Sequence, residues 1–260
     1  MSEIVTERTG SVLRVQYNRP EKKNALTMAM YTTVAELLNA AEKDDGTRAV
    51  ILHGAGDSFT AGNDLGDFLK HPLKEDDSPQ ARFIDALMNF DKPLIAAVHG
   101  AAVGSGTTML TFCDFVYATE NTVFQMPFVN LALVPELGTS YSLPAQIGYI
   151  AAAELLLLGR PFDARRGLEL GFVTRIVSEP GLLLTAMETA QRLAQQPAGA
   201  LQASKKLLRQ FSREQLAAAV KAEAREYAAR LRSPDAKEAM TAFFEKRRPD
   251  FTKTPKKEVA

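Results

Sequence analysis

The order of apolar and polar residues predicts a chain that begins as an α/β protein. Two short apolar runs, 49–54 and 93–100, are bounded by Gly or Pro, a pattern typical of strands in a sheet covered on both faces. Residues 4–17 alternate in polarity and predict a β-hairpin. Residues 27–43 carry apolar positions at helical spacing, and Thr27 is placed to cap that helix.

After residue 150 the pattern becomes mainly helical. Helices are predicted over 151–159 and 163–171, and a strand is predicted over 173–177. Beyond residue 180 helices continue to about residue 248, interrupted at Pro197 and Pro234. One of these helices carries a single apolar stripe at helical spacing, formed by Leu216, Val220, Ala224, Tyr227 and Leu231.

Composition and charge fit a compact protein without a nucleic-acid partner. The chain has 260 residues, of which 46% are hydrophobic, so it can bury a sizeable core. Its 31 basic and 31 acidic residues give a formal net charge of +0, which attracts phosphate backbones little. The one cysteine, Cys113, excludes an intramolecular disulfide and favours a reducing compartment. No apolar run is long enough to cross a bilayer.

Two glycine-bearing turns carry the first sign of chemistry. They span residues 58–65 and 100–106, and each follows one of the predicted buried strands. Each turn can present backbone N–H groups, and the second opens a predicted helix over 107–112, whose positive end would face developing negative charge. A thioester carbonyl that becomes an enolate carries such a charge. We interpret the pair as two halves of an oxyanion hole; ordinary glycine turns between strand and helix are the alternative.

Three segments give the chain a resemblance to a known family. They are Ala61-Gly62-Asn63-Asp64-Leu65, residues 91–104 and residues 134–141, in that order. With them the chain resembles the crotonase superfamily, the enoyl-CoA hydratase/isomerase group. Its Gly-Asn-Asp-Leu turn and its Pro-Glu-x-x-x-Ser-Tyr segment are most similar to the Δ3,Δ2-enoyl-CoA isomerases of the peroxisomal type and their bacterial relatives.

The resemblance implies a fold and a division of the chain. The expected fold is α/β, the crotonase fold, a spiral of ββα repeats followed by a C-terminal helical region. Residues 1–195 would form the crotonase core with the CoA-thioester site, and residues 196–260 would form a helical trimerisation region. Packing of these helices within their own chain is the alternative to trimerisation.

The carboxylates of the site decide between reactions. In the hydratases that the chain resembles, two glutamates flank the oxyanion site, and here Thr108 and Phe128 occupy those positions. Neither residue can activate water or protonate a carbon. Glu136 remains, in an apolar setting that should raise its pKa, although lone buried glutamates also serve structural roles. One carboxylate suffices to move a proton from C2 to C4 of a 3-enoyl thioester.

The resemblance also implies the residues of the site. The backbone N–H groups of Asn63 and Ser105 would hold the thioester oxygen, and Glu136 would shuttle the proton. Phe243, Phe244 and Lys246 would reach the CoA pocket of an adjacent subunit. The polar stretch 71–79 predicts a mobile loop beside the acyl pocket. The residues expected to contact substrate are Lys22, Ala25, Ala61, Gly62, Asp64, Leu65, Gly104, Gly106, Met126, Phe128, Phe243 and Lys246.

The expected partner is an acyl-CoA thioester substrate, bound by a homotrimer or a dimer of trimers. No metal or redox cofactor is expected, because coenzyme A is part of the substrate, and neither nucleic acid nor a membrane is expected to bind. Residues 257–260 differ from the Ser-Lys-Leu peroxisomal address, so the predicted location is the cytoplasm. The alternatives are another crotonase reaction, such as hydration or thioester hydrolysis, a non-catalytic acyl-CoA-binding or partner-binding role and, most weakly, RNA binding.

Overall fold

The structure is a computed structural model that describes residues 2–70 and 78–252. Most of the predicted loop at 71–79 and the C-terminal residues 257–260 therefore lie outside the described residues. The strands are β1 (Ile4–Thr9), β2 (Val12–Tyr17), β3 (Ala49–Gly54), β4 (Leu94–Val98), β5 (Ala101–Val103), β6 (Phe115–Thr119), β7 (Val123–Gln125), β8 (Phe162–Asp163) and β9 (Arg175–Val177).

The helices follow in chain order, with short 3₁₀ turns between some of them. They are α1 (Met28–Lys43), α2 (Leu65–Lys70), α3 (Pro79–Met88), α4 (Ser105–Thr108), α5 (Thr139–Ile147), α6 (Tyr149–Leu158), α7 (Ala164–Glu169), α8 (Leu182–Ala194), α9 (Ala198–Arg209), α10 (Arg213–Leu231) and α11 (Pro234–Phe244). None of the helices in the described ranges has the length and apolar character needed to span a membrane.

The described strands form two sheets. The larger has the order β1-β2-β3-β4-β6-β9, and the smaller has the order β5-β7-β8. In the larger sheet β1 and β2 pair antiparallel, whereas each later neighbour pairs parallel. Strands β4 and β6 belong to the larger sheet, and each is followed along the chain by a strand of the smaller sheet, β5 or β7. The chain therefore crosses from one sheet to the other after each of these strands.

Alternate residues of the central strands face two different hydrophobic clusters. Val50 and Leu52 of β3 join the larger cluster, which includes α1 and α3, whereas Ile51 joins the smaller cluster beneath α8. All three side chains are fully buried. This two-sided burial explains why these strands are continuous apolar runs rather than alternating sequences.

Most of the predicted elements are present. The hairpin of β1 and β2 forms, and α1 begins at its predicted cap, where the N–H of Met30 donates to Thr27 Oγ1 at 3.2 Å. The predicted helix at 107–112 is instead α4 followed by a 3₁₀ turn at Met109–Phe112. The pattern also misses the break at residues 210–212, because no Gly or Pro stands there.

Part of the apolar stripe of α10 packs within its own chain, whereas Ala224 is exposed. Leu216 and Tyr227 are buried in the larger hydrophobic cluster, together with residues of α1 and β3. Leu216 lies against Gly138, where an added Cβ would come within 2.3 Å of Leu216 Cδ1. The C-terminal helices therefore contribute to the same core as the sheet.

Candidate active site

The first glycine turn is held by a short parallel bridge to the segment before α1. The N–H of Leu26 donates to Gly62 O at 2.8 Å, and the N–H of Asp64 donates to Leu26 O at 2.9 Å. In such a bridge the intervening residue directs its own N–H away from the partner segment. The N–H of Asn63 therefore points away from Leu26, towards the opposite side of the turn.

The loop at 20–25 is fastened to the same turn. Asn24 donates through its side chain to the carbonyls of Ala55 (2.8 Å) and Ser58 (2.7 Å), and the N–H of Ala61 donates to Lys23 O at 2.9 Å. Lys22 is exposed beside these contacts. The structure thus brings the loop that carries Lys22 and Ala25, two of the residues expected to contact substrate, against the first glycine turn.

The two glycine turns contact each other through their backbones. Thr60 pairs with Ala102 in a parallel bridge, and a Cβ added at Gly62 would lie 2.4 Å from Val103 O. At Gly106 an added Cβ would lie 2.8 Å from Thr60 O. Gly62 and Gly106 are therefore needed so that one turn can approach the other, whichever ligand is bound.

Gly104 differs from the other two glycines. Its φ is +56°, which disfavours a side chain, yet an added Cβ would meet no atom within 4 Å. Its carbonyl accepts the N–H groups of Thr107 and Thr108, both at 2.9 Å, and α4 begins at Ser105. The first N–H groups of a helix have no intrahelical acceptor, so the Ser105 N–H is available to a ligand.

Tyr31 of α1 contacts the first glycine turn and lies near the second. Its hydroxyl, at the end of a buried side chain of α1, donates to Asn63 Oδ1 at 2.6 Å. The Ser105 side chain lies near the same hydroxyl, and its Oγ is buried without a hydrogen-bond partner among the described residues. Burial raises the pKa of Tyr31 well above its usual value, with a further contribution from the charge of Glu136. Tyr31, Asn63, Ser105 and Glu136 thus lie in one neighbourhood.

Glu136 stands before a tight turn. Leu137 and Gly138 have φ values of +58° and +68°, and the N–H of Thr139 donates to Glu136 O at 3.1 Å. Oε1 of Glu136 is buried and has no hydrogen-bond partner among the described residues. Burial raises the pKa of Glu136 to about 8, with a second contribution from the charge of Glu223; a hydrogen bond from Asn63 acts in the opposite direction.

Glu223 of α10 holds the turn that follows Glu136. Its carboxylate accepts the N–H of Gly138 at 2.6 Å and the N–H of Ser140 at 2.7 Å. The side chain is buried, and burial raises its pKa despite these two hydrogen bonds. One helical turn later on α10, the buried Tyr227 also has a raised pKa, first through burial and then through the charge of Glu136.

The remaining predicted residues have varied surroundings. Asp64, which is expected to contact substrate, caps α2, because its Oδ1 accepts the N–H groups of Gly66 and Asp67, both at 3.1 Å. Its Oδ2 pairs with Arg19 at 3.1 Å. Two others, Met126 and Phe128, are buried in the larger hydrophobic cluster, and the rest line the turns or begin a helix, namely Ala25, Ala61 and Leu65.

Phe243 and Lys246 lie on the surface at the end of α11. The Phe243 side chain is 57% exposed and stacks edge-on against Phe244, and Lys246 has a φ of +55°. These positions are compatible with contact to a second subunit, but they do not join the buried neighbourhood of Glu136. Their role in an adjacent CoA pocket stays a prediction.

Tyr31 and Glu223 are the site residues that sequence reasoning misses. Both carry a signal in hindsight. Tyr31 lies between Thr27 and Val34 on the buried stripe of α1, where a polar hydroxyl needs a partner. Glu223 lies between Val220 and Tyr227 at helical spacing, so a carboxylate interrupts an apolar stripe. A buried polar group on such a stripe indicates a specific partner.

Comparisons with known proteins agree with this geometry. The family model described as Enoyl-CoA hydratase/isomerase matches residues 7–254. Enoyl-CoA delta isomerase 2 of Rattus norvegicus is 32% identical over 246 residues, which make up 92% of this chain and 63% of the rat protein. The chain therefore spans less than two thirds of that relative's length. The 2,3-dehydroadipyl-CoA hydratase of Escherichia coli (strain K12) is 33% identical over 256 residues, 96% of this chain and 99% of that protein.

A solved structure is similar over nearly the whole chain. The crystal structure of enoyl-CoA hydratase/isomerase from Pseudoalteromonas atlantica T6c has a TM-score of 0.92 and 38% sequence identity. The similarity covers 96% of this chain and 100% of that chain. Together with the mixed sheets and the C-terminal helices, it confirms the predicted α/β fold.

Proposed function

The chain belongs to the enoyl-CoA hydratase/isomerase family, and from that premise we propose that it converts a 3-enoyl-CoA into a trans-2-enoyl-CoA. An acyl-CoA thioester substrate is consistent with the family. Its relatives include both isomerases and hydratases, so the reaction is inferred from the site. The observation that carries the proposal is Glu136, whose Oε1 has no partner among the described residues and which lies beside two joined glycine turns.

In the proposed reaction one carboxylate moves one proton. The Glu136 carboxylate removes a proton from C2 of the 3-enoyl thioester, and the electron pair of that C–H bond spreads over a dienolate. The negative charge rests on the thioester oxygen, which accepts hydrogen bonds from the N–H groups of Asn63 and Ser105. Glu136 then returns the proton to C4, so that the double bond lies between C2 and C3. Nothing is gained or lost, and the shift requires neither a metal nor a redox cofactor.

The energetics of the site support this division of work. An oxyanion-hole donor typically contributes roughly 3 to 4 kcal/mol to transition-state stabilisation. A general base works best when its pKa lies near the operating pH, and the pKa of Glu136 is raised to about 8. Glu136 is thus a stronger base than an ordinary glutamate while it can still be ionised near neutral pH.

The side chains that a hydratase needs are replaced here. Thr108 and Phe128, at the positions that hold glutamates in the hydratases that the chain resembles, are both buried. Among the described residues, the carboxylate whose charge acts on Glu136 belongs to Glu223, and both of its oxygens accept backbone N–H groups. Neither arrangement offers a free base to activate water, which supports isomerisation over hydration.

Assembly and location follow the same resemblance. We propose a homotrimer or a dimer of trimers in the cytoplasm. Large apolar side chains at the end of α9 support a subunit contact, because Leu207, Leu208 and Phe211 are more than half exposed. Light scattering coupled to size-exclusion chromatography measures the mass; a monomer at micromolar concentration would contradict the assembly.

A product assay tests the reaction. A panel of 3-enoyl-CoA and, separately, trans-2-enoyl-CoA chain lengths is incubated with the protein, and the products are identified by mass spectrometry. We expect trans-2-enoyl-CoA from the first panel, at most trace hydroxyacyl-CoA from the second, and solvent deuterium in the isomerised product. Hydration at a comparable rate, release of free CoA, or tight binding without turnover would each contradict the proposal and favour, respectively, a hydratase, a hydrolase or a binding protein.

A further inference from the structure

We propose that Glu223 is a positioning residue of this site, which fixes the turn after Glu136 and keeps a negative charge beside it so that Glu136 holds its proton more firmly. The inference rests on the proposed function, in which Glu136 is the proton shuttle. Glu223 reaches the site from α10, in the C-terminal helical region. The sequence of the two glycine turns does not predict this contact.

The carboxylate of Glu223 holds the turn that follows Glu136. Helix α5 begins after Gly138, which has no side chain to cap the first N–H groups of the helix. Glu223 accepts two N–H groups at this end, those of Gly138 and Ser140, at 2.6 and 2.7 Å. The backbone conformation at Leu137, with φ of +58°, is costly for a branched residue and needs surrounding contacts to persist. The Glu223 carboxylate supplies such contacts directly after Glu136.

The surroundings of the two carboxyls favour a charge on Glu223 and a proton on Glu136. Glu223 has two backbone donors and the positive end of a helix, all of which stabilise its ionised form. Oε1 of Glu136 has no partner among the described residues. When two nearby carboxyls compete for one proton, the one with fewer donors retains it. Glu223 is therefore the ionised member, and its charge disfavours ionisation of Glu136.

The other described groups that face Glu136 cannot supply this charge. Tyr31 approaches from α1, Asn63 and Ser105 from the two glycine turns, and Tyr227 from α10. Both tyrosines have pKa values raised well above their usual value, so both stay neutral near pH 7. Among these groups only Glu223 carries a charge that is able to tune Glu136.

The test titrates the carboxyl groups directly in the ligand-free protein. Glutamate labelled with ¹³C at the carboxyl carbon is followed by NMR from pH 5 to pH 10, and Glu136→Gln identifies the Glu136 resonance. In Glu223→Gln we expect the midpoint of Glu136 to fall by about one pH unit. Glu226→Gln is the matched control, since Glu226 is exposed on the same helix and pairs with Arg230. In this control variant the titration midpoint of Glu136 should equal that of the wild type.

Turnover gives the second readout. In Glu223→Gln the rising limb of the kcat/KM profile should move to lower pH by the same amount as the NMR midpoint. Glu223→Asp retains the charge, so its rising limb should return towards the wild-type pH. A change in kcat with an unmoved limb and an unmoved NMR midpoint would overturn the proposal and leave Glu223 a purely structural cap.

A measurement on the wild type covers the case in which Glu223→Gln does not fold. The Glu223 resonance, assigned with Glu223→Asp, should have its midpoint below that of Glu136, because Glu223 has two backbone donors and Glu136 has fewer. A Glu136 midpoint at or below that of Glu223 would overturn the proposal. Absence of isomerase turnover in the wild type contradicts the proposed function instead, and the NMR midpoints still decide the role of Glu223.

Discussion

The proposed oxyanion side of the site, residues 60–64 and 101–107, is built by backbone groups, whereas the carboxylate side, residues 136–140, is held by a side chain from a distant helix. On the oxyanion side, Gly62 and Gly106 allow two turns to touch. On the carboxylate side, Glu223 reaches over from α10 to hold the turn.

This difference predicts opposite sensitivities to substitution. A backbone donor survives the loss of its own side chain, but it is displaced by a Cβ added where two backbones meet. A side-chain base fails when its functional group changes, even if its shape is preserved. The four predictions below test this contrast, from the largest expected effect to the smallest.

The first prediction concerns the base. Glu136→Gln should lower isomerase kcat by about a thousandfold or more, because it removes the acid/base group and preserves the shape of the side chain. Affinity for a CoA thioester, measured by calorimetry, should stay within a few fold. Glu154→Gln, at an exposed glutamate paired with Arg166, is the control. Retention of more than a tenth of wild-type turnover by Glu136→Gln would show that another group is the base.

The second prediction concerns the second glycine turn. Gly104→Val should reduce kcat/KM by about a hundredfold, because the new side chain strains a residue at φ +56° and enters the open space before the Ser105 N–H. Ser105→Ala retains that N–H and should stay within a few fold of wild type.

Gly148→Val separates strain from obstruction. Gly148 also has a positive φ, +82°, with open space around it, but it lies between α5 and α6. This variant should lose stability, measured by thermal unfolding, and retain turnover per folded molecule. If Ser105→Ala is as inactive as Gly104→Val while both are folded, the hydroxyl of Ser105 takes part and the backbone-donor interpretation fails.

The third prediction concerns the pH dependence of the wild type. The base must be ionised to remove a proton, and the pKa of Glu136 is raised to about 8 in the free protein. Such a base is about one-tenth ionised at pH 7 and about nine-tenths ionised at pH 9, so kcat/KM should rise about tenfold across this interval. Initial rates at low substrate concentration measure it. A profile that is flat above pH 6 would mean that Glu136 titrates as an ordinary glutamate.

The fourth prediction concerns the support of the first glycine turn by α1. Tyr31→Phe removes the hydroxyl that donates to Asn63 Oδ1, which frees the Asn63 side chain but leaves its backbone N–H in place. We expect kcat to fall by a few fold, because the variant loses one hydrogen bond that positions Asn63 but keeps every reacting group. Tyr149→Phe, at a tyrosine that is 73% exposed, should have no effect. A loss as large as that of Glu136→Gln would make Tyr31 a reacting group.

The oxyanion side could largely be predicted from the sequence. Its strands, its glycine turns and the Asp64 cap depend on residues close together in the chain, and short-range patterns report such contacts. Glu136 is singled out because its segment resembles a family motif; burial raises its pKa, as its apolar setting predicts, and its role as the base stays a prediction.

The supports of Glu136 could not be predicted in the same way. The hydrogen bond from Tyr31 to Asn63 spans 32 positions, and that from Gly138 to Glu223 spans 85. Such contacts depend on how whole helices pack, which no local spacing encodes. The residue types were visible, a tyrosine and a glutamate on apolar stripes, but their partners were not.

The position of Glu223 also orders events during synthesis of the chain. The strands of the larger sheet, through β9, and both glycine turns precede α10 along the chain, so they leave the ribosome before Glu223 does. A nascent chain that ends before residue 213 carries both glycine turns and Glu136, but it lacks the carboxylate that caps α5. Under the proposed function, the turn after Glu136 is therefore completed only when α10 packs against it, and we expect a chain truncated before residue 213 to have lower isomerase turnover.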